Sequence, residues 1–264
     1  YFHYLTKWMH ALDMVSYATG EVRYHAWAVE LACRACEAFV RIDPDDHRRR
    51  MFWKMSIDLT YPLVNSMGYH DPLDGFIVCL QLLSNPTRGR ENESELRQAL
   101  AEMADLCRGQ EWATHDPLGI GELLSGAFKL AQLIEFTGTD HMPMMEILLE
   151  AARSSLDRHV AELGLDRPAT HRLAFREMGL VIGLAAVQRL KVLVSENTGR
   201  FAASPTLKAT LDGLQSHHYL VETILDFWLA TEHREVPSWT GHRHINTVML
   251  ATAMVPDGYL NLGQ

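Results

Sequence analysis

The stretch YFHYLTKWMHALDMVSYATGEVRYHAWAVELACRACEAFV, residues 1–40, holds two long apolar segments separated by a Thr-Gly pair that ends at Gly20. Apolar residues recur at helical spacing in both segments, without the alternation that is typical of strands. Gly20 can adopt the left-handed conformation in which many helices end. The first segment is apolar nearly all round, apart from a narrow polar stripe at His3, Lys7 and His10. The second segment carries many charges and can face solvent. The stretch therefore predicts a helical hairpin with one helix buried on most sides and one half exposed.

The same pattern recurs further along the chain. Thr-Gly follows an apolar segment again at Gly138 and Gly199, and a weaker stop lies at Gly89. Successive stops lie about 50 to 70 residues apart, a spacing that fits one helix pair per repeat. The sequence predicts an all-α chain, folded as one α/α toroid domain over residues 1–264. Its inner helices are expected to begin near residues 1, 72, 117, 170, 216 and 243. After Gly199 too little chain remains for full outer partners, so the ring is expected to be incomplete or to need residues outside this chain.

Composition limits the classes of function. The chain has 264 residues, 47% of them hydrophobic, and a net charge of -9 at pH 7 without a long basic run. This argues against a nucleic-acid surface and favours small-molecule or protein partners. With the carbohydrate functions considered below, a small-molecule or oligosaccharide substrate is expected. The four cysteines are too few for a disulfide framework, so we expect buried thiols. The longest apolar run, MGLVIGLAAV, is too short to span a bilayer, which predicts no membrane partner.

No signal peptide is visible, so a cytoplasmic protein is expected. Because the chain opens on Tyr1 rather than Met, an N-terminal segment is expected to be missing. The oligomeric state stays open.

The tetrapeptide His-Asp-Pro-Leu occurs twice, at residues 70–73 and 115–118. Asp is a favoured N-cap and Pro suits the first helical position, so both copies predict helix starts. Asp74 would complete a capping-box-like arrangement with Asp71. Neither argument explains the histidine.

Histidine stands near each predicted start of an inner helix. Helix N-termini stabilise anions and favour neutral imidazole, so the set predicts a rim that binds an anionic group or uses histidine as a base. The histidines concerned are His3, His70, His115, His171, His217, His218, His242 and His244.

The candidate site residues lie at these helix starts. The candidate catalytic residues are Asp71, Asp74, Asp116, Glu122, His70 and His115. The candidate substrate-binding residues are Tyr69, Trp112, Trp239, His171, Arg172, Arg176, Glu177, His218, His242 and His244. The aromatic rings suit stacking on sugars. Plain structural roles stay open for the same residues: helix caps for Asp71 and Asp116, apolar plugs for the tryptophans, and a buried ion pair for the Arg and Glu side chains.

The hairpin over residues 1–39, followed by WKMSIDL and SMGYHDPLDGF, resembles the helical-hairpin repeats of six-hairpin glycosidase-like proteins. More distantly, it resembles the N-acylglucosamine 2-epimerase group, which shares the toroid. The resemblance is strongest over residues 1–85 and is more specific for architecture than for activity. In such glycosidases the acid and base carboxylates lie at the cavity mouth, which implies Asp71, Asp74, Asp116 or Glu122 here. In the epimerases, histidines of the inner helices move a proton beside a sugar carbonyl. This implies a base among His171, His218 and His244.

Three functions follow as expectations. The first is a glycoside hydrolase-like enzyme that uses two carboxylates, and the second is a sugar epimerase or isomerase with histidine as general acid and base. The third is a non-catalytic helical scaffold or glycan-binding module. No cofactor is expected. A metal site is a lesser alternative, because HRH and HH bring imidazoles together while HExxH and other strong ligand spacings are absent from the sequence.

Overall fold

The computed structural model describes residues 1–42, 47–85, 92–201 and 204–263. The predicted stop at Gly89 lies outside the described residues. The chain divides into two compact units, each with its own helices. Unit 1 comprises Tyr1–Glu111 with Leu262–Gln264, and unit 2 comprises Trp112–Asn261. The all-α class is confirmed, whereas closure into a toroid and a single domain over residues 1–264 stay predictions.

Unit 1 consists of two helical hairpins and a small antiparallel strand pair. Helix α1 packs on α2, α3 packs on α4, and α1 also packs on α3. The elements are α1 Phe2–Thr19, α2 Val22–Phe39, β1 Val40–Ile42, β2 Arg49–Met51, α3 Asp71–Ser84 and α4 Glu93–Cys107. Gly20 ends α1 in the left-handed conformation, with φ 72°, which confirms the predicted stop.

Helices α1 and α3 run parallel to each other. Toward their starts, Lys7 of α1 contacts Asp74 of α3, and further along both helices Asp13 contacts Asn85, the C-cap of α3. The two hairpins therefore repeat with their first helices side by side in the same direction.

The buried face of α1 differs from the prediction. His10 and Asp13 are buried, whereas Tyr4, Trp8 and Val15 are more than two-fifths exposed. The prediction of a helix buried on most sides is therefore wrong. The polar stripe faces α3, which supplies partners for it: Asp74 for Lys7 and Gln81 for His10.

Unit 2 is built around the parallel pair α5 and α7. Helix α6 packs on α5, and α9, α10 and α12 each pack on α7. The helices are α5 Pro117–Thr137, α6 Met142–His159, α7 Ala174–Glu196, α8 Thr198–Phe201, α9 Pro205–Gln215, α10 Tyr219–Leu229, α11 Pro237–Thr240, α12 Arg243–Met254 and α13 Asp257–Leu260. Short 3₁₀ helices occupy Val160–Glu162, Ala169–His171 and Thr231–Arg234.

The helix starts agree with the sequence prediction to within a few residues. The helices predicted near residues 1, 72, 117, 170, 216 and 243 begin at Phe2, Asp71, Pro117, Ala174, Tyr219 and Arg243. Gly138 ends α5 with φ 70°, as predicted. Gly199 does not end a helix: α7 stops at Glu196, and Gly199 lies inside the short helix α8.

Helix α7 is long and apolar enough to cross a membrane by length and composition. In this structure 61% of its most apolar 18-residue stretch is buried. Length and composition alone are weak evidence for a membrane span, because buried core helices of soluble proteins meet the same two criteria.

Candidate functional site

The two His-Asp-Pro-Leu copies have different local structures. In the second copy, Asp116 is the N-cap of α5, and its carboxylate accepts the Leu118 N–H at 3.1 Å. In the first copy the helix begins one residue earlier, so that His70 occupies the cap position and Asp71 lies buried in the first turn. The prediction of a cap is confirmed for Asp116 and wrong for Asp71. Because Asp71 follows the cap position, Asp71 and Asp74 do not occupy the two positions of a capping box, and the Asp74 carboxylate contacts Lys7 and Thr6 of α1.

The starts of α1 and α3 form a polar cluster that we call the α1–α3 mouth, comprising His3, Lys7, Asp71 and Asp74. The Lys7 ammonium lies 2.8 Å from Asp74 Oδ2, and Thr6 Oγ1 lies 3.4 Å from the same oxygen. His3 Nδ1 lies 3.9 Å from Asp71 Oδ1. Each carboxylate of α3 is therefore matched by a basic side chain of α1, and the candidate pair Asp71 and Asp74 is brought together on one helix turn.

The chain before α3 packs directly on the Asp71 carboxylate. A Cβ atom added to Gly68 would lie 2.3 Å from Asp71 Oδ2, closer than any van der Waals contact. Gly68 therefore permits a backbone approach that fixes this carboxyl group, whose side chain is 7% exposed.

Aromatic rings surround the α1–α3 mouth. The His3 ring stacks on Trp53 with centroids 6.4 Å apart and an interplanar angle of 20°. Tyr4 lies against the His3 ring, with centroids 4.3 Å apart, and is 52% exposed. The predicted ring Tyr69 is 50% exposed and contacts His70. These partly exposed faces suit stacking on a sugar ring.

Sequence reasoning named His3, Asp71 and Asp74, but it missed Lys7 as a site residue and the neighbouring Trp53. Trp53 lies far in sequence from the His-Asp-Pro-Leu motif. It reaches α1 because the loop after β2 folds back, and the Trp53 carbonyl accepts the Phe2 N–H. Lys7 and His3 were visible as a polar stripe on an apolar helix. That stripe was the available signal, since polar residues at helical spacing on a buried face require partners.

Unit 2 contains a cleft of about 230 Å³ at the starts of α5 and α7, which we call the α5–α7 cleft. The structure brings many of the predicted residues together here. Its polar lining comes from His115, Glu162, His171, Arg172, Arg176 and Glu177. His115 and His171 are exposed, and Arg176 lies 3.4 Å from the Asp116 carboxylate.

Arg172 and Glu177 form the back of this cleft as a buried ion pair. The guanidinium makes two hydrogen bonds to the carboxylate, at 2.9 and 2.6 Å, and their side chains are 2% and 7% exposed. Trp228 donates its indole N–H to the same carboxylate at 2.7 Å. The alternative of a buried ion pair is therefore confirmed for Arg172 and Glu177, whereas their assignment to substrate binding stays a prediction.

The predicted tryptophan platforms are buried. Trp112 is 4% exposed and Trp239 5% exposed, and Trp239 packs on Trp228 with ring centroids 5.6 Å apart. Their faces are covered by protein, so neither ring can stack on a sugar in this structure. They act as apolar plugs.

Among the described residues of unit 2, the remaining candidates do not line the α5–α7 cleft. Glu122 and His218 are half-buried, whereas His242 and His244 are exposed at the start of α12. His242 contacts the Phe175 ring. The expectation that histidines of both units share one rim stays a prediction.

Neither Cys33 nor Cys107 is suited to act as a thiolate nucleophile. Burial raises the pKa of Cys33 to about 11 and that of Cys107 to about 12, which leaves both as thiols at neutral pH. Within the described ranges, no group of three or more His, Cys, Asp and Glu side chains is arranged to hold a metal ion.

Comparison with known proteins gives no match to a protein-family model, a curated protein or a solved structure.

Proposed function

We propose that this chain is a carbohydrate-active enzyme of glycoside hydrolase type, with its site at the α1–α3 mouth. One observation carries the proposal: Asp71 and Asp74 lie one turn apart on α3, facing basic groups of α1 and bordered by partly exposed aromatic rings. A pair of carboxyl groups is the usual machinery of glycosidic bond cleavage, and exposed aromatic rings beside it suit stacking on a sugar.

The different surroundings of the two carboxyl groups suggest different roles. Asp71 is buried beneath Gly68, out of bulk water, as suits an acid that protonates the glycosidic oxygen. Asp74 is less buried and has the Lys7 ammonium beside it, as suits the carboxylate that activates water or attacks the sugar. Tyr4 and Tyr69 would stack on the sugar rings.

The test is a screen of oligosaccharides for new reducing ends, followed by variants. Asp71→Asn and Asp74→Asn are each expected to lower kcat by on the order of 100-fold or more, because each removes one half of the acid–base pair. Tyr4→Ala is expected to raise KM through lost stacking. The matched control is Glu37→Gln, which removes an exposed carboxylate of α2 that pairs with Arg34.

The results separate the proposal from its alternatives. Full activity in Asp71→Asn and Asp74→Asn would remove the catalytic assignment. Binding of a glycan without turnover, weakened by Tyr4→Ala, would favour a glycan-binding module instead.

The α5–α7 cleft favours a second candidate, a sugar epimerase or isomerase. Two exposed imidazoles, of His115 and His171, line one cleft at the starts of two helices. Neutral imidazole in that position suits proton transfer beside a sugar carbonyl. Incubation of reducing sugars in D2O would test this: we expect deuterium at C2 with the native protein and none with His171→Asn. Deuterium incorporation unchanged by His171→Asn and His115→Asn would exclude the cleft as its source.

A further inference from the structure

A hydrogen-bonded polar network lies in the core of unit 1, between α1, α2 and α3. Asp13 Oδ1 accepts from His25 Nδ1 and from Asn85 Nδ2, each at 2.7 Å, and its Oδ2 accepts from Gln81 Nε2 at 2.8 Å. Gln81 Oε1 lies 2.9 Å from His10 Nδ1. All five residues are between 3% and 6% exposed.

The carboxylate of Asp13 sets the direction of these hydrogen bonds. An ionised carboxylate only accepts, so the Gln81 amide must turn its nitrogen toward Asp13 and its oxygen toward His10. His10 then donates from Nδ1. One acceptor at position 13 thus orders the side chains of three helices.

The network also fixes how α1 and α3 are aligned along their axes. A helix advances about 1.5 Å per residue, so a slide of even one residue would break hydrogen bonds of 2.7 to 2.8 Å. A slide of α1 by one turn toward the end of α3 would place Lys7 near Val78, which is apolar, instead of Asp74. The alignment that satisfies Asp13 is the one that joins Lys7 to Asp74.

We propose that Asp13 is a positioning residue that sets the register of α1 against α3, and thereby holds Lys7 on Asp74 and His3 beside Asp71 at the α1–α3 mouth. The inference rests on the proposed function for the role of that mouth, whereas the positioning itself is a property of the two helices. Polar networks that are fully satisfied in a core specify one arrangement among alternatives that apolar packing alone would tolerate.

The test moves the carboxylate across the interface. Gln81→Glu puts a second carboxylate against Asp13, and the repulsion is expected to displace α1 from α3. Adding Asp13→Asn restores complementarity: the new carboxylate at position 81 accepts from His10 and from the new amide at position 13. The oxygen of that amide still accepts from His25 and Asn85. The single variant should lose the alignment and the double variant should recover it.

Two readouts follow the alignment. The first is the nuclear Overhauser effect between the Thr6 methyl group and the Asp74 β protons, which can be measured without a ligand. It reports on the contact between these two side chains, whose Thr6 Oγ1 and Asp74 Oδ2 atoms lie 3.4 Å apart. The second is glycoside hydrolysis, where Gln81→Glu is expected to lower kcat by on the order of 100-fold with a smaller change in KM. The control is Gln98→Glu, which places a carboxylate beside Glu102 on the outer face of α4 and should leave both readouts unchanged.

Each outcome decides the inference. Loss of both signals, or of folding, in Gln81→Glu with recovery in the double variant supports it. Retention of both signals in Gln81→Glu, or failure of Asp13→Asn to restore them, overturns it. If the native protein cleaves no glycan, the proposed function fails, while the magnetic resonance readout still decides the positioning role.

Discussion

Gly121 of α5 lies so close to Gly179 of α7 that no side chain fits between them. A Cβ atom added to Gly121 would lie 2.0 Å from the Gly179 carbonyl oxygen, and one added to Gly183 would lie 2.5 Å from Gly121 Cα. The obstacles are backbone atoms, which cannot turn aside as a side chain can. The close parallel packing of α5 and α7 therefore depends on glycine, and this packing holds the two helix starts that border the α5–α7 cleft.

Gly121→Ala is expected to lower the free energy of unfolding by about 3 kcal/mol or more, because overpacking forces the two helices apart. Urea denaturation followed by tryptophan fluorescence measures the change. Gly258→Ala is the control, since a Cβ atom there meets nothing within 4 Å. Equal stability of the two variants would show that α5 and α7 adapt without cost.

Asp116 offers a test of the difference between the two His-Asp-Pro-Leu copies. Asp116→Ala removes the acceptor for the Leu118 N–H, which is expected to cost about 1 kcal/mol in the free energy of unfolding. Asp116→Ser keeps a capping oxygen and should retain most of that stability. A serine variant as unstable as the alanine variant would indicate that the ion pair with Arg176, rather than the cap, supplies the stabilisation.

The helix starts were predictable from sequence because their signals are local. Asp and Pro favour the first turn wherever they stand, and glycine at Gly20 and Gly138 adopts a conformation that other residues rarely adopt. The environment of Asp71 was not predictable in this way. Whether it caps the helix or enters the core depends on Gly68 packing on its carboxylate, which is a tertiary contact.

The buried face of α1 shows a second limit of sequence reasoning. A pattern of hydrophobicity assigns the apolar side of a helix to the core, and for α1 this assignment is wrong. His10 and Asp13 are buried because Gln81 and Asn85, about 70 residues later in sequence, satisfy them. No single-helix pattern contains that information. The same holds for Trp112 and Trp239, whose burial depends on what packs over them.

Arg172 and Glu177 are expected to stabilise unit 2 only as a pair. Arg172→Met leaves a buried carboxylate without its main partner, and the free energy of unfolding should fall by about 3 to 5 kcal/mol. Combining it with Glu177→Gln removes the uncompensated charge and keeps an acceptor for Trp228, so part of the loss should be regained. Urea denaturation of both variants measures this coupling. A double variant no more stable than Arg172→Met would mean that the arginine stabilises through its packing on Phe227 instead.

His141 at the start of α6 gives the protein a defined response to acid. Burial lowers the pKa of His141, and the neighbouring Asp140 carboxylate opposes the shift only in part. The unfolded chain, with a histidine pKa of about 6.5, therefore binds a proton at a higher pH than the folded chain does. It follows that stability contributed by neutral His141 is present above about pH 6.5 and is lost as the pH falls toward the lowered pKa of the folded state.

Measurements of the free energy of unfolding at several pH values between 7.5 and 5 should show a steeper decline for the native chain than for His141→Gln. His244→Gln, which changes an exposed histidine, should decline like the native chain. Parallel curves for the native chain and His141→Gln would mean that the imidazole protonates as readily in the folded state as in the unfolded one.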